Sequence, residues 1–173
     1  WDDLVFVEDV TTGAVVSSLC LIPWPLRVGA ATLQVGEMGI VGTAEEYRSR
    51  GLGRAQVRYF RQRLQANGCH LSLIQGIPYY YRQFDYTYAL PLEGGLIVIT
   101  RELPPAAPSF TFRPATVADI PLLSQFYDAA ASSLTISAVR DDALWRYLLG
   151  PMQVTETAAV FWLLEAGDGA PAD

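Results

Sequence analysis

The sequence predicts a mixed α/β protein with a largely antiparallel central sheet flanked by helices. Three observations carry that expectation. Residues 4–43 hold three apolar, strand-length segments separated by turn residues. Beyond Tyr47 the apolar spacing becomes helical, with Val57, Phe60 and Leu64 at i, i+3 and i+7. After a proline-dense stretch at 103–109, strand and helix patterns begin again.

The first strand is expected over Leu4 to Asp9, with Thr11-Thr12-Gly13 supplying turn chemistry before a second over Ala14 to Ile22. Pro23 and Pro25 should interrupt that strand, and a glycine-containing loop should lead into a third, Ala31 to Thr43. Adjacent antiparallel strands are the simplest arrangement. A helix then runs to Gln65, with Arg54, Arg58 and Arg61 on a face away from the apolar one, and Asn67-Gly68 ends it. Cys69 to Gln75 reads as a buried strand and Pro78 to Phe84 as a short helix. Tyr86 to Leu92 and Leu96 to Arg101 read as a hairpin. In the second part, Phe110 to Arg113 suggests a strand and Thr116 to Ala131 a helix with Asp119 and Pro121 in its first turn. Asp141 to Leu149 suggests another helix, and Val160 to Glu165 a strand before Gly167-Asp168-Gly169. The expected organisation is therefore 1–102, a linker at 103–109, and 110–173.

Composition narrows the function. The chain has 173 residues and 19.0 kDa, with 51% hydrophobic and 17% charged residues, so it can bury a core. A net charge of -6 and a pI near 4.7 argue against a bulk nucleic-acid binder. The longest apolar stretches are of strand length or broken by Pro and Gly, so no membrane span is expected. With no cationic leader before an apolar run, the cytoplasm is the default location. Cys20, Cys69 and the single His70 make a structural zinc improbable, and no metal is expected; a single disulfide stays open.

Chemistry concentrates in one segment. Six of the 12 arginines lie between positions 48 and 63 of an otherwise acidic chain. Arg48-Ser49-Arg50-Gly51-Leu52-Gly53 opens the helix there. Free N–H groups at a helix N-terminus favour anions, and Gly51 and Gly53 let a phosphate approach the backbone. Arg side chains in the first turns can then hold phosphate oxygens. The spacing is neither the Walker nor the dinucleotide pattern, which removes nucleotide hydrolysis and hydride transfer. The bland alternative is a solvated helix face after an ordinary glycine turn.

Thr43-Ala44-Glu45-Glu46-Tyr47-Arg48-Ser49-Arg50-Gly51-Leu52-Gly53-Arg54 resembles the coenzyme A-binding signature of GNAT acetyltransferases. Pro78-Tyr79-Tyr80-Tyr81-Arg82-Gln83-Phe84-Asp85-Tyr86 resembles the aromatic segment that follows the family's next strand, with Asp85 in place of its usual glycine. Phe112-Arg113-Pro114-Ala115-Thr116 with Asp119-Ile120-Pro121 is similar to the opening of a GNAT domain, yet here it comes after the signature. The GNAT-like fold is thus either incomplete or permuted. A trimmed tandem explains best a rough echo between Val5-Phe6-Val7-Glu8 and Val160-Phe161-Trp162, each before a Gly-Ala turn.

The resemblance implies acetyl-CoA as co-substrate and direct attack of an amine on its thioester. It implies that the backbone of Arg50, Gly51, Leu52, Gly53 and Arg54, with Ser49 in the turn, holds the pyrophosphate. Arg48, Arg50 and Arg54 would add side-chain charge. The strand edge at Val41 to Thr43 would pair with the pantetheine arm, and Gly76 and Ile77 would line the same slot. Tyr81 aligns with the family's general acid. Glu37 is the candidate base, sharing a face with Val41 and Thr43 provided no bulge intervenes. Core packing for Tyr81 and a solvated strand end for Glu37 are the alternatives. Glu8 is a weaker candidate base, and His70 and Trp145 read as structural. The expected partners are a small-molecule or peptide amine, with neither nucleic acid nor membrane, and a second copy of the chain to cover exposed sheet edges. The competing class is an inactive acyl-CoA-binding or oligomerisation module.

Overall fold

A computed structural model describes residues 4–91, 99, 101, 110–156 and 158–166. It shows the mixed α/β class with an antiparallel-dominated sheet. Two compact units form, Trp1–Glu93 with Thr135–Val139 and Gly94–Leu134 with Arg140–Asp173. The expected linker at 103–109 lies outside the described residues.

The first unit is built on β1 (Leu4–Asp9), β2 (Ala14–Val28) and β3 (Ala31–Thr43), joined as consecutive antiparallel hairpins. The Asp9 side chain accepts from the Thr11 N–H at 2.8 Å and closes the first turn. Helix α1 (Leu52–Ala66) follows a 3-10 turn at Glu45–Tyr47, and β4 (Leu71–Leu73) then pairs parallel with β3. The helix lays Val57 and Phe60 on a core of Leu19, Leu21, Met38 and Phe84. Phe60 and Leu19 are fully buried.

Pro23 and Pro25 do not interrupt β2, which continues to Val28. The Pro25 carbonyl accepts from the Val139 N–H at 2.8 Å, so Pro25 turns its backbone polar groups away from β3. Pro23, two residues earlier, turns the same way. Both therefore spare the β2–β3 ladder, which pairs Pro23 with Gly36 and Pro25 with Gln34. The prolines fall between the stretches of β2 that pair with β1 and with a short strand from far along the chain, Ile136–Ala138. That strand had no sequence signal.

The segment expected as a buried strand over Cys69 to Gln75 narrows to the three residues of β4, and His70 is exposed rather than buried. Pro78 to Phe84, expected as a short helix, becomes a 3-10 turn at Tyr80–Phe84. Residues 86–91 form no strand, and most of the second half of that expected hairpin lies outside the described residues.

In the second unit β5 (Phe110–Pro114) pairs antiparallel with the last strand, Trp162–Ala166. In chain order the Ile136–Ala138 strand is β6 and the last is β7. Between β5 and β7 run α2 (Ile120–Ala131) and α3 (Asp142–Leu149), which bury Ile120, Leu123 and Trp145 with Leu163. Trp145 is core, as expected. Arg113 joins strand and helix, reaching both Asp119 oxygens at 2.8 Å and Glu165 at 2.7 Å. Asp119 also accepts from the Thr116 N–H, completing a capping box.

The Arg113 guanidinium and the Thr116 donors hold the Asp119 carboxyl far below the ordinary carboxylate range. A carboxylate depressed on folding stabilises above its unfolded pKa, and that contribution is lost as pH falls through its folded value. Asp119→Asn should thus lower the urea midpoint at pH 7. The gap to wild type should narrow steadily below about pH 4.

Candidate functional site

The site starts where β3 and β4 part. Their ladder ends at the pair Glu37–Leu73, so β3 beyond Glu37 has β2 as its sheet neighbour. One residue of β2, Leu19, then faces two of β3, Ile40 and Val41, because Ser18 pairs with Gly42 and Cys20 with Gly39. That is a β-bulge. Ile40 at its centre has a φ of 51°, a left-handed conformation that a β-branched residue rarely adopts. Ile40 and Val41 are 69% and 38% exposed, so the bulge presents them to the open side.

A cavity of about 360 Å3 fills the resulting cleft. Glu37, Val41, Gly76, Ile77 and Tyr81 all line it, with Met38, Ile40 and Ile74 supplying apolar wall. Among the described residues, Glu37 is its one charged lining residue. Its Oε2 accepts from the Trp24 indole N–H at 2.6 Å, a diagonal contact across the β2–β3 ladder. The bulge corrects one expectation: Glu37 and Thr43 do not share a face. Thr43 lies with Ser17 and α1, whereas Glu37 lies with Trp24. The extra residue in β3 reverses the alternation.

From Thr43 the chain runs through the 3-10 turn into the glycine-rich segment. Ser49 and Gly51 have φ of 60° and 80°, and Gly51 caps α1. Such left-handed steps turn successive N–H groups toward one point. The first bond at this end of α1 runs from the Ala55 N–H to the Gly51 carbonyl at 3.0 Å. The N–H groups of Leu52, Gly53 and Arg54 therefore point out of the helix end without intrahelical acceptors. The guanidinium groups expected to converge here are held elsewhere. Arg48 Nε donates to the Thr43 carbonyl at 3.4 Å, and Arg50 to the Glu46 carbonyl at 2.8 Å while lying over the Tyr47 ring. Arg54 donates to Gln83 Oε1 at 3.3 Å. What the turn presents at the helix end is thus mainly backbone N–H.

Arg54 and Arg61 link α1 to the aromatic turn, for Arg61 donates to the Phe84 carbonyl and to Asp85 Oδ2, the latter at 2.7 Å. Asp85 takes φ of 66°, the left-handed conformation a glycine would supply, which Asp tolerates better than most residues. The turn survives the substitution. Tyr81 packs edge-on to Tyr80 and Tyr86, with centroids 5.0 and 6.1 Å away. Burial, then the neighbouring Tyr80 and Tyr86, push its hydroxyl above the ordinary phenol range. A Cβ on Gly76 would sit 2.4 Å from the Tyr81 ring, so any side chain there would force the ring to shift. Tyr80 completes the connection, with its hydroxyl 3.6 Å from where a Cβ on Gly53 would lie.

His70 Nδ1 accepts from the Gln34 N–H at 3.2 Å, a structural use. Cys20 and Cys69 are not joined in a disulfide. Glu8 does not line the cavity. The sequence reading missed Trp24, Tyr80, Met38, Ile40 and Ile74. The small residues Gly39 and Gly42 around Ile40-Val41 were the available signal for the bulge. Among the described residues no helix is long and apolar enough to cross a membrane, and no group of three His, Cys, Asp or Glu residues is arranged to hold a metal.

A family model described as an acetyltransferase (GNAT) domain matches residues 2–89. No curated protein sequence matches the chain. Among solved structures, N-myristoyltransferase of Saccharomyces cerevisiae with bound myristoyl-CoA is similar at 16% identity and a TM-score of 0.68, over 98% of this chain and 43% of that one. A conserved protein of Enterococcus faecalis V583, described as a probable N-acyltransferase, is similar at 15% identity and a TM-score of 0.66, over 91% and 40%. The chain spans less than half the length of both, and at these identities the likeness is one of fold. The family match, in contrast, takes in just over half of the chain together with the glycine-rich turn, the parted strands and the aromatic turn. The chain belongs to the GNAT acetyltransferase family.

Proposed function

We propose that the chain carries the acyl-CoA site of an N-acetyltransferase that moves an acetyl group directly from acetyl-CoA to a primary amine. The observation that carries this reading is the single cavity lined by Glu37, Val41, Gly76, Ile77 and Tyr81, on the strand that leads into the glycine-rich turn. In this reading the backbone of Ser49 to Arg54 holds the pyrophosphate, with the helix dipole behind it. Arg48, Arg50 and Arg54 are exposed and can swing from their present partners to phosphate oxygens. The pantetheine arm then lies along β3 from Thr43 to Val41, where β4 has left a strand edge open, with Gly76 and Ile77 on the far side. A backbone N–H near Val41 polarises the thioester carbonyl.

The amine nitrogen attacks that carbonyl, and the tetrahedral adduct collapses with cleavage of the C–S bond. Tyr81 gives its proton to the departing thiolate, and its raised pKa keeps the phenol charged with that proton at neutral pH. Before attack Glu37 takes a proton from the acceptor ammonium, directly or through water, and after C–S cleavage the surplus proton on the acylated nitrogen returns to the Tyr81 phenolate. The net charge of -6 draws cationic acceptors, whether a small molecule or a peptide amine. The arrangement of a later part of one GNAT unit followed by the opening of another belongs to this proposal, as does a cytoplasmic setting.

Three measurements test it. Calorimetric titration with acetyl-CoA should show binding to wild type and none to Gly53→Glu, whose carboxylate would block and repel the pyrophosphate. Absence of binding to wild type would end the proposal. Tyr81→Phe should bind acetyl-CoA within about twofold of wild type yet lose about 10²-fold or more in turnover with an amine panel; an unchanged turnover would leave a binding module. The elevated pKa places any alkaline limb owed to Tyr81 above about pH 10, so a limb at lower pH must persist in that variant. Gly76→Ala should displace the Tyr81 ring and lower kcat with little change in acetyl-CoA affinity.

A further inference from the structure

Two polar side chains lie deep in the first unit's core where apolar residues would pack without penalty. Ser17 on β2 and Gln56 on α1 are each 3% exposed. Ser17 Oγ stands 2.6 Å from Gln56 Oε1, 2.7 Å from the Gly42 carbonyl and 2.7 Å from Thr43 Oγ1. A hydroxyl has one proton, so the Thr43 hydroxyl donates to Ser17, and the single Ser17 proton is shared between Gln56 Oε1 and the Gly42 carbonyl. Gln56 Nε2 in turn donates to the Val5 carbonyl on β1 at 3.5 Å. One buried cluster thus ties β1, β2, the end of β3 and the second turn of α1.

Its location gives it a purpose. Past Glu37, β3 has lost β4, and the bulge at Ile40–Val41 weakens its hold on β2. Gly42 and Thr43 are the next residues, and they lead into the glycine-rich turn. This end is also attached by the resumed β2 ladder at Ser18–Gly42 and Ser17–Thr43, by the Ala44 N–H to the Val16 carbonyl at 2.8 Å, by the Ser18 hydroxyl to the Ile40 carbonyl at 3.1 Å, and by Arg48 Nε to the Thr43 carbonyl at 3.4 Å. Gln56 sits four residues after Leu52, so the same cluster holds the helix end whose N–H groups face outward.

We propose that Ser17 and Gln56 are positioning residues that fix the end of β3 against the start of α1, so that the strand edge and the phosphate-facing turn meet one acyl-CoA molecule at once. The proposal rests on the acyl-CoA reading above. Neither side chain need touch the ligand. The free energy of ligand binding then includes the cost of aligning the two halves, which the cluster removes in advance.

The test is calorimetric titration of the full chain with acetyl-CoA for wild type, Ser17→Ala, Gln56→Leu and Leu21→Val. Leu21→Val is a core truncation on the same strand that leaves the cluster intact. Circular dichroism and melting confirm folding; Gln56→Leu keeps the volume should Ser17→Ala fail to fold. Loss of one net hydrogen bond of alignment corresponds to about fivefold in affinity. The expected result is a loss of at least about that size in the cluster variants, with Leu21→Val within twofold of wild type at a comparable melting temperature. If folded cluster variants bind as wild type does, or if Leu21→Val loses as much, the positioning role is overturned while the acyl-CoA reading stands. If wild type itself does not bind, both fall.

Discussion

The parting of β3 from β4 after Glu37 is the constraint from which the rest of the site follows. A strand that keeps both neighbours has no free backbone groups to offer, and its side chains face sealed surfaces. Once the ladder stops at Glu37–Leu73, β3 exposes an edge, and a cavity opens between it and residues 74–77. The bulge at Ile40–Val41 completes the change. It bends β3, brings Ile40 and Val41 to the open side, and moves Thr43 to the face of α1, whereas Glu37 stays on the other. Without that extra residue, the alternation would bury or expose a different set of groups, and the turn after Thr43 would leave the sheet at another angle.

The open edge works only if its surroundings are rigid, and arginine supplies much of that rigidity. The concentration of arginine near position 54 suggested an anion-binding face. Part of it is a brace instead. Arg54 and Arg61 reach from α1 to the Tyr80–Phe84 turn, and the bond from Arg61 to Asp85 secures a left-handed residue where glycine would have cost nothing sterically. The ion pair is solvent-exposed, 48% and 87% at its two side chains, so its direct contribution to stability is small. Its effect is geometric: it holds the turn from which Tyr81 enters the cavity. Arg54, expected as a phosphate ligand, therefore joins Arg61 in placing the candidate acid.

Much of this was legible in the sequence, and the boundary has physical causes. The glycine-rich turn was readable because left-handed Gly51 and the bare helix start leave residue-type traces. The helix was readable because Val57, Phe60 and Leu64 repeat at its period. The candidate lining residues Glu37, Val41, Gly76, Ile77 and Tyr81 were each named from motif position, and they share one cavity. Pro23 and Pro25 misled because a proline's effect depends on which side of the strand its missing N–H faces, which needs the neighbours to be known. β6 was invisible because three residues paired with a strand more than a hundred positions away carry no local pattern. Trp24 was missed for a related reason: its contact with Glu37 is diagonal across a ladder, so register had to come first.

The distribution of backbone strain shows how these features belong together. Among the described residues, four that are not glycine adopt positive φ: Ile40, Ser49, Tyr79 and Asp85. Each costs free energy, about 1–3 kcal/mol in unfavourable cases, and persists only where surrounding contacts override it. One forms the bulge, one shapes the glycine-rich turn, and two bracket the turn that carries Tyr81. Three of the four have a restraint nearby. The bulge at Ile40 is held by the Ser18 hydroxyl, Tyr79 by a hydrogen bond of its N–H to the Tyr88 hydroxyl at 2.8 Å, and Asp85 by Arg61. The buried α1 core, with Phe60 and Leu19 fully enclosed, offsets the total. A unit selected for stability alone would relax these positions with glycine or regular pairing. Their concentration in the bulge, the glycine-rich turn and the aromatic turn, while β1 and the body of α1 hold no positive-φ residue, puts the strain in the segments that the proposed acyl-CoA site uses.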